Sequence, residues 1–410
     1  MASMRLLLPV LLLALAALPV QAQFEMEESH TSASLRGIDS LGAGIAWASG
    51  SKGTILRTED GGFLWQPCTV PPGGEALDFR GIQGFDANTA VAMSSGKGEL
   101  SRIYKTTDGC QTWKLVFTNP DPTGFFDALR RAPSTETPRS NQPLTAVGPR
   151  PASHHQGHPA AASHPLYLLG DPVHGRFALF YSPDAGDTWL PAEDPGLQSD
   201  PGESAFAASN SSLLAVGSRL LFATGGGSVA HLYSGFSACD AHPPQAEPSL
   251  PASRAANQPC ALHWTRVAVP VSAGSASSGI FSIAVGWSPL DGLAPQPLVA
   301  VGGTYDQPDK AMSSAAWAKD GQWTSASTFP HGYRSSVAFD LSMHAWIAVG
   351  TNGSDVSRDG GRTWTPLLPG PQDQSDADQH WNALSLPFAV GANGRIGKLR
   401  GRPLPPRETR

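Results

Sequence analysis

The sequence predicts an all-β fold, a seven-bladed β-propeller that takes up residues 23–400 as one domain. Three observations predict it. One short turn-like segment recurs in chain order four times. Glycine (44) and proline (37) are abundant and only 15% of residues are charged, a balance that favours short strands and tight turns over long helices. Runs of small apolar residues alternate with these turns along the whole chain, and repetition of this kind marks a radial or solenoid architecture.

The recurring segments are Thr58-Glu59-Asp60-Gly61-Gly62-Phe63-Leu64-Trp65, Thr106-Thr107-Asp108-Gly109-Cys110-Gln111-Thr112-Trp113, Ser182-Pro183-Asp184-Ala185-Gly186-Asp187-Thr188-Trp189 and Ser357-Arg358-Asp359-Gly360-Gly361-Arg362-Thr363-Trp364. Each reads Ser/Thr-x-Asp-x-Gly-x-x-Trp, with Cys110 in place of one glycine. The aspartate can accept hydrogen bonds from backbone N–H groups across a turn. The glycine permits a positive φ. The tryptophan then packs between blades with its N–H available to a partner. The pattern resembles the Asp box of sialidases, sortilin-type receptors and related propellers. Asp60, Asp108, Asp184 and Asp359 are therefore read as turn formers, with Trp65, Trp113, Trp189 and Trp364 as the packing residues. Their spacing serves a turn and not a calcium cage.

Small-residue strands precede the boxes, as in Gly44–Gly50, Thr89–Gly96 and Ala345–Gly350. Upstream of each lies a further short strand, and counting these starts gives seven units. A degenerate box, Ala318-Lys319-Asp320-Gly321-Gln322-Trp323, marks the fifth unit. The last unit lacks a box, and an N-terminal strand between about Phe24 and Ser34 is expected to complete its blade. Residues 131–165 and 241–258 are Pro/Ala/Ser-rich inserts, read as mobile loops, and 401–410 as a disordered tail. His154, His155, His158 and His164 fall in the first insert, where a solvated linker is favoured over a metal site, so no metal is expected.

The innermost strand of each blade lines a propeller's central channel. Aligning the seven starts places Arg36, Arg80, Asp127, Ser204, Ser278, Arg334 and Asn382 at one repeat position. All are polar, and the residues just after them (Ile38, Ile82, Leu129, Phe206, Ile280, Val337, Leu384) are apolar, as suits a strand with one wet and one buried face. Arg334 fits only with a one-residue shift. A hydrated channel wall needs no ligand. The sharper reading is that Arg36, Arg80 and Arg334, with Asp127 and Asn382 beside them, form a ligand- or partner-binding site at the channel mouth, clamping a carboxylate or phosphate.

Residues 1–22 read as an export signal: Arg5, an apolar run from Leu6 to Leu18, and small residues before Gln23. A periplasmic or secreted protein is expected, with no integral membrane segment once the signal is removed. The formal net charge of −6 argues against nucleic acid as a partner. The four cysteines suggest two disulfides, Cys68–Cys110 and Cys239–Cys260, over the other connectivities. No cofactor is expected, since no Gly-x-Gly-x-x-Gly opens a helix and no haem-attachment motif occurs.

Phe79-Arg80-Gly81-Ile82-Gln83, Met93-Ser94-Ser95-Gly96-Lys97-Gly98, Leu169-Gly170-Asp171-Pro172-Val173, Gly332-Tyr333-Arg334-Ser335 and Asn382-Ala383-Leu384-Ser385 resemble the photosystem II stability/assembly factor-like propellers. That resemblance implies seven blades and a binding or assembly role in which Arg36, Arg80 and Arg334 belong to a partner-contacting patch. The Pro/Ala/His inserts depart from it. The leading expectation is thus an exported, non-enzymatic propeller that recognises a protein or an anionic ligand. A sialidase-like glycoside hydrolase is the alternative, and it would need a tyrosine–carboxylate nucleophile such as Tyr305-Asp306 or Tyr333 with Glu203.

Overall fold

A computed structural model describes residues 21–22, 24–132, 165–192, 194–217, 219–237, 262–286, 297–371 and 373–400. The expected signal peptide core, the histidine tract, the Cys239–Cys260 pair and the tail lie outside these residues. Seven four-stranded antiparallel sheets follow one another along the chain as the blades of a propeller. Their first strands are Leu35–Gly42, Phe79–Gly84, Phe126–Arg131, Leu213–Val216, Ser278–Val285, Ser336–Asp340 and Trp381–Ser385 for blades 1 to 7. First strands of neighbouring blades touch around the ring, blade 7 against blade 1 included. The ring closes through Phe24–Glu27, which pairs antiparallel with Ile396–Leu399 and becomes the fourth strand of blade 7, as the sequence anticipated.

The repeated boxes form one hydrogen-bonded turn between the third and fourth strands. In blade 1 Thr58 Oγ1 donates to Asp60 Oδ1 at 2.8 Å, Gly62 N donates to Thr58 Oγ1 at 3.0 Å and Leu64 N donates to Asp60 Oδ1 at 3.0 Å. Asp108, Asp184 and Asp359 repeat this arrangement. These bonds hold each of the four carboxyls below the usual carboxylate range. Cys110 takes the left-handed backbone that glycine takes in the other boxes (φ 62°). Its sulfur reaches Cys68 at the outer end of blade 1, giving the expected Cys68–Cys110 disulfide.

Each box tryptophan is buried against the preceding blade. Trp65 packs with Phe388, Val390 and Ile396 of blade 7, and Trp364 with Val299 and Val301 of blade 5. Small residues of the second strands, such as Ala46, Ala48, Ala90 and Ala92, lie in the same clusters, where close sheet packing favours them. The degenerate segment of blade 5 is a tight hairpin instead. Lys319 pairs with Gln322, and Asp320 and Gly321 both take positive φ, as a two-residue turn requires.

Blade 4 departs from expectation. Its first strand is Leu213–Val216, whereas the sequence alignment placed that strand around Ser204 and Phe206. Ser204 forms an isolated bridge with Gly225, and the chain between it and Leu213 leaves the sheet. Arg131, expected at the head of the first insert, is the last residue of blade 3's first strand.

Candidate functional site

A backbone irregularity aims the channel residues. In five blades the ladder between first and second strands skips a residue near the start of the first strand, and the residues skipped there are Arg36, Arg80, Asp127, Phe281 and Asn382. A bulge of this type leaves one residue unpaired and re-aims its side chain. All five line a cavity of about 550 Å3 at one end of the channel. Three of the expected site residues, Arg36, Arg80 and Asp127, thus meet there, and Asn382 borders it.

Arg36 and Arg80 share a single carboxylate. Arg80 Nε donates to Asp78 Oδ2 at 2.8 Å, and Arg36 Nε stands 3.7 Å from the same oxygen with no hydrogen-bond partner among the described residues. Burial, and then the neighbouring Arg80, lower the Arg36 pKa. Beside them Asp127 is only 1% exposed, and its Oδ2 lacks a partner among the described residues. Burial and then the adjacent Asp171 push the Asp127 carboxyl well above the usual range. Asp171, pushed up to about 6 by burial, accepts from Ala205 N at 3.1 Å. The mouth therefore carries two arginines and two carboxyls that burial holds above the usual range.

The remaining wall combines aromatic rings with small side chains such as Ala207, Ala276 and Ser335. Phe206 stacks on Phe281 with centroids 4.0 Å apart, and Tyr333 meets Phe281 edge-on at 4.8 Å. Phe125 lies under the Arg80 guanidinium, and Tyr305, 52% exposed, stands at the rim. Asn382 serves ring closure as well, donating to Leu35 O of blade 1 at 2.8 Å.

Arg334 is not in the mouth. It is fully buried, and its donors are committed. Nε donates to Asp355 Oδ2 at 2.7 Å, Nη1 to Tyr333 O and Asn352 Oδ1, and Nη2 reaches Asp355 and His331. Ser335 takes the channel position of blade 6 instead, donating to Val349 O just ahead of the Ser336–Val349 pair. A slip of one residue along a strand exchanges its two faces. The sequence alignment slipped by one at this blade and by three at blade 5, where Phe281 holds the place expected of Ser278.

Sequence reasoning missed Asp171 and Phe281. Asp171 is itself a skipped residue, between Gly170 and Pro172 of blade 3's second strand. Its signal was available, because a Gly-x-Pro interruption inside a strand marks a bulge. Of the tyrosines considered for a hydrolase, Tyr305 and Tyr333 both line the mouth. Glu203 does not join Tyr333. It accepts from Thr224 Oγ1 and Tyr233 OH and pairs with His231 within blade 4.

The departing segment of blade 4 crosses the channel. Arg80 Nη1 donates to Ala207 O at 3.4 Å, Ser209 Oγ to Ser335 O at 2.7 Å, and Leu129 N to Asn210 Oδ1 at 2.6 Å. Ser211 Oγ lies 2.7 Å from Ser282 Oγ. Residues 207–211 thereby tie blade 4 to blades 2, 3, 5 and 6. Small side chains fit the narrow axis, and a Cβ on Gly81 would sit only 3.0 Å from Asn210 Oδ1. The beginnings of the first strands face the arginine mouth, and their later residues (Ile38, Ile283, Val337, Leu384) face a second cavity beyond the plug.

Fold and site together define a plugged seven-bladed propeller with a charged, aromatic-walled axial mouth. Among solved structures the chain is similar to YCF48 bound to D1 peptide (TM-score 0.53, 15% identity, 93% of this chain and 99% of that chain). It also resembles YCF48 from Cyanidioschyzon merolae (TM-score 0.49, 16% identity, 92% and 99%). A third likeness is to the GH74 enzyme of Niastella koreensis (TM-score 0.50, 14% identity), of which it spans about half the length, 52%, with 91% of itself. At these identities the likeness shows the fold, which is the one the resemblance implied. No family model and no curated protein matches the sequence.

Proposed function

We propose that this protein is an exported, non-enzymatic binding or assembly-factor-like propeller whose channel mouth recognises an anionic group, foremost a carboxylate borne by a partner protein. The observation that carries the reading is the convergence of Arg36 and Arg80 on one carboxylate, Asp78, with the Arg36 Nε left unpartnered among the described residues. Asp78 is the acid that the two guanidiniums face directly, burial favours the protonated form of Asp127 and Asp171 beside them, and the guanidinium fork geometry matches a carboxylate or phosphate. Aromatic side chains around them supply rigid contact area for an apolar neighbour of that group. The similarity to YCF48, a propeller seen with a bound peptide, favours a protein segment as ligand. The Cys68–Cys110 disulfide favours an oxidising compartment, in keeping with the signal-like residues 1–22.

The test is an affinity capture from the source cell envelope with the wild-type protein and with Arg36→Ala/Arg80→Ala. Captured partners should be lost in the double variant, and binding of a captured partner's peptide should weaken at least tenfold when its acidic group is amidated. Partners retained unchanged by the double variant would overturn the reading. Turnover of a sialoside substrate that disappears in Tyr333→Phe would favour a hydrolase instead.

A further inference from the structure

The plug makes the channel blind from both ends, and the far end has a chemistry of its own. We propose that the cavity beyond the plug is a second binding site, for a small apolar monocarboxylate held on Arg130. Its volume is about 340 Å3, the size of a small-ligand pocket. Its walls mix apolar side chains of several blades, among them Ile38, Leu214, Val285, Phe339 and Leu386, with the polar Ser385, and the sole charged side chain facing it among the described residues is Arg130. Ser209, Asn210 and Ser211 form its floor, each already bonded across the channel.

The Arg130 guanidinium makes no hydrogen bond to the described residues. Two arginines, Arg130 and Arg131, act on one carboxylate, Asp39. Asp39 Oδ2 is committed to Gly84 N at 2.8 Å, and Arg131 donates to Gly84 O at 2.7 Å while lying over Phe85. Asp39 offsets one of the two charges, so Arg130 and Arg131 together keep one, and Arg130 is the member that faces the cavity. A half-buried guanidinium with no hydrogen-bond partner among the described residues can take a carboxylate through two parallel bonds. A single net charge matches a monoanion, whereas a dianion would carry an unmatched charge into an apolar space. The ligand's hydrocarbon part would cover the Ile, Leu, Val and Phe side chains.

Octanoate is a suitable probe, titrated into the whole protein by calorimetry and followed by saturation-transfer NMR. One octanoate should bind per chain. Arg130→Gln should weaken it at least tenfold, and Leu214→Trp, which fills the cavity, should abolish it. Arg130→Gln decides the matter if Leu214→Trp fails to fold, which its thermal midpoint would reveal. The proposal is overturned if wild type does not bind octanoate, if Arg130→Gln binds it unchanged, or if octylammonium binds equally well. Loss of binding in Arg36→Ala/Arg80→Ala with retention in Arg130→Gln would also overturn it, by placing octanoate in the arginine mouth.

Discussion

Arg334 shows how a polar residue at a core position is made tolerable. It stands at the repeat position that Leu35, Phe79, Phe126 and Trp381 occupy in other blades, each of them buried. A guanidinium there needs every donor matched, and Asp355, Asn352, Tyr333 and His331 match them. Arg334→Met should cost about 3–5 kcal/mol in denaturant unfolding, since it strands the Asp355 carboxylate in the interior. The double change Arg334→Met/Asp355→Leu should recover much of that loss. Asp171 supplies a pH effect of defined sign. Its folded carboxyl titrates at about 6, above the value of about 3.9 for an unfolded aspartate, so the native state holds the extra proton between them. Its contribution is then full below about pH 4 and is lost as pH rises through 6. Asp171→Asn, which keeps an acceptor for Ala205 N, should flatten the fall in thermal midpoint between pH 4.5 and 7.

Among the elements, the box turns were legible because their chemistry is local. A hydroxyl, an aspartate and a glycine-like backbone two to four residues apart make the turn by themselves, so sequence spacing suffices. The bulged first strands were partly legible. Arg36, Arg80, Asp127 and Asn382 stand out as polar residues in an apolar strand, but Phe281 at the same place looks like core. Register at blade 6 is fixed by long-range pairing with Val349, which no local pattern reveals. Segment 207–211 was invisible for the same reason, as its partners are remote in sequence and its Ala/Ser/Asn composition reads as loop. Trp364→Ala should cost about 3–5 kcal/mol by leaving a cavity between blades 5 and 6, measurable by chemical denaturation. Replacing Cys68 and Cys110 by serine should destabilise by about 4 kcal/mol on loop entropy, since the bond spans 42 residues. Reduction with dithiothreitol should lower the thermal midpoint in the same direction.

At the scale of the molecule, stability depends on closure. Strand Phe24–Glu27 is the element that joins the two ends of the chain in one sheet, so its loss exposes the edge strand Ile396–Leu399 and opens the contact between blades 7 and 1. Removing residues 24–27 should lower the thermal midpoint and produce concentration-dependent association, checked by light scattering. The segment of blade 4 that spans the axis has a different consequence. An open ring can be threaded by a chain passing through it, and a blocked one cannot. Each socket here has a bottom, so what enters must end or turn back within it. Such a socket selects chain ends, loop tips and small molecules over continuous strands, and the depth of the bottom sets how much of a visitor can be inspected. Recognition by this propeller is thereby a matter of termini and of length as well as of charge.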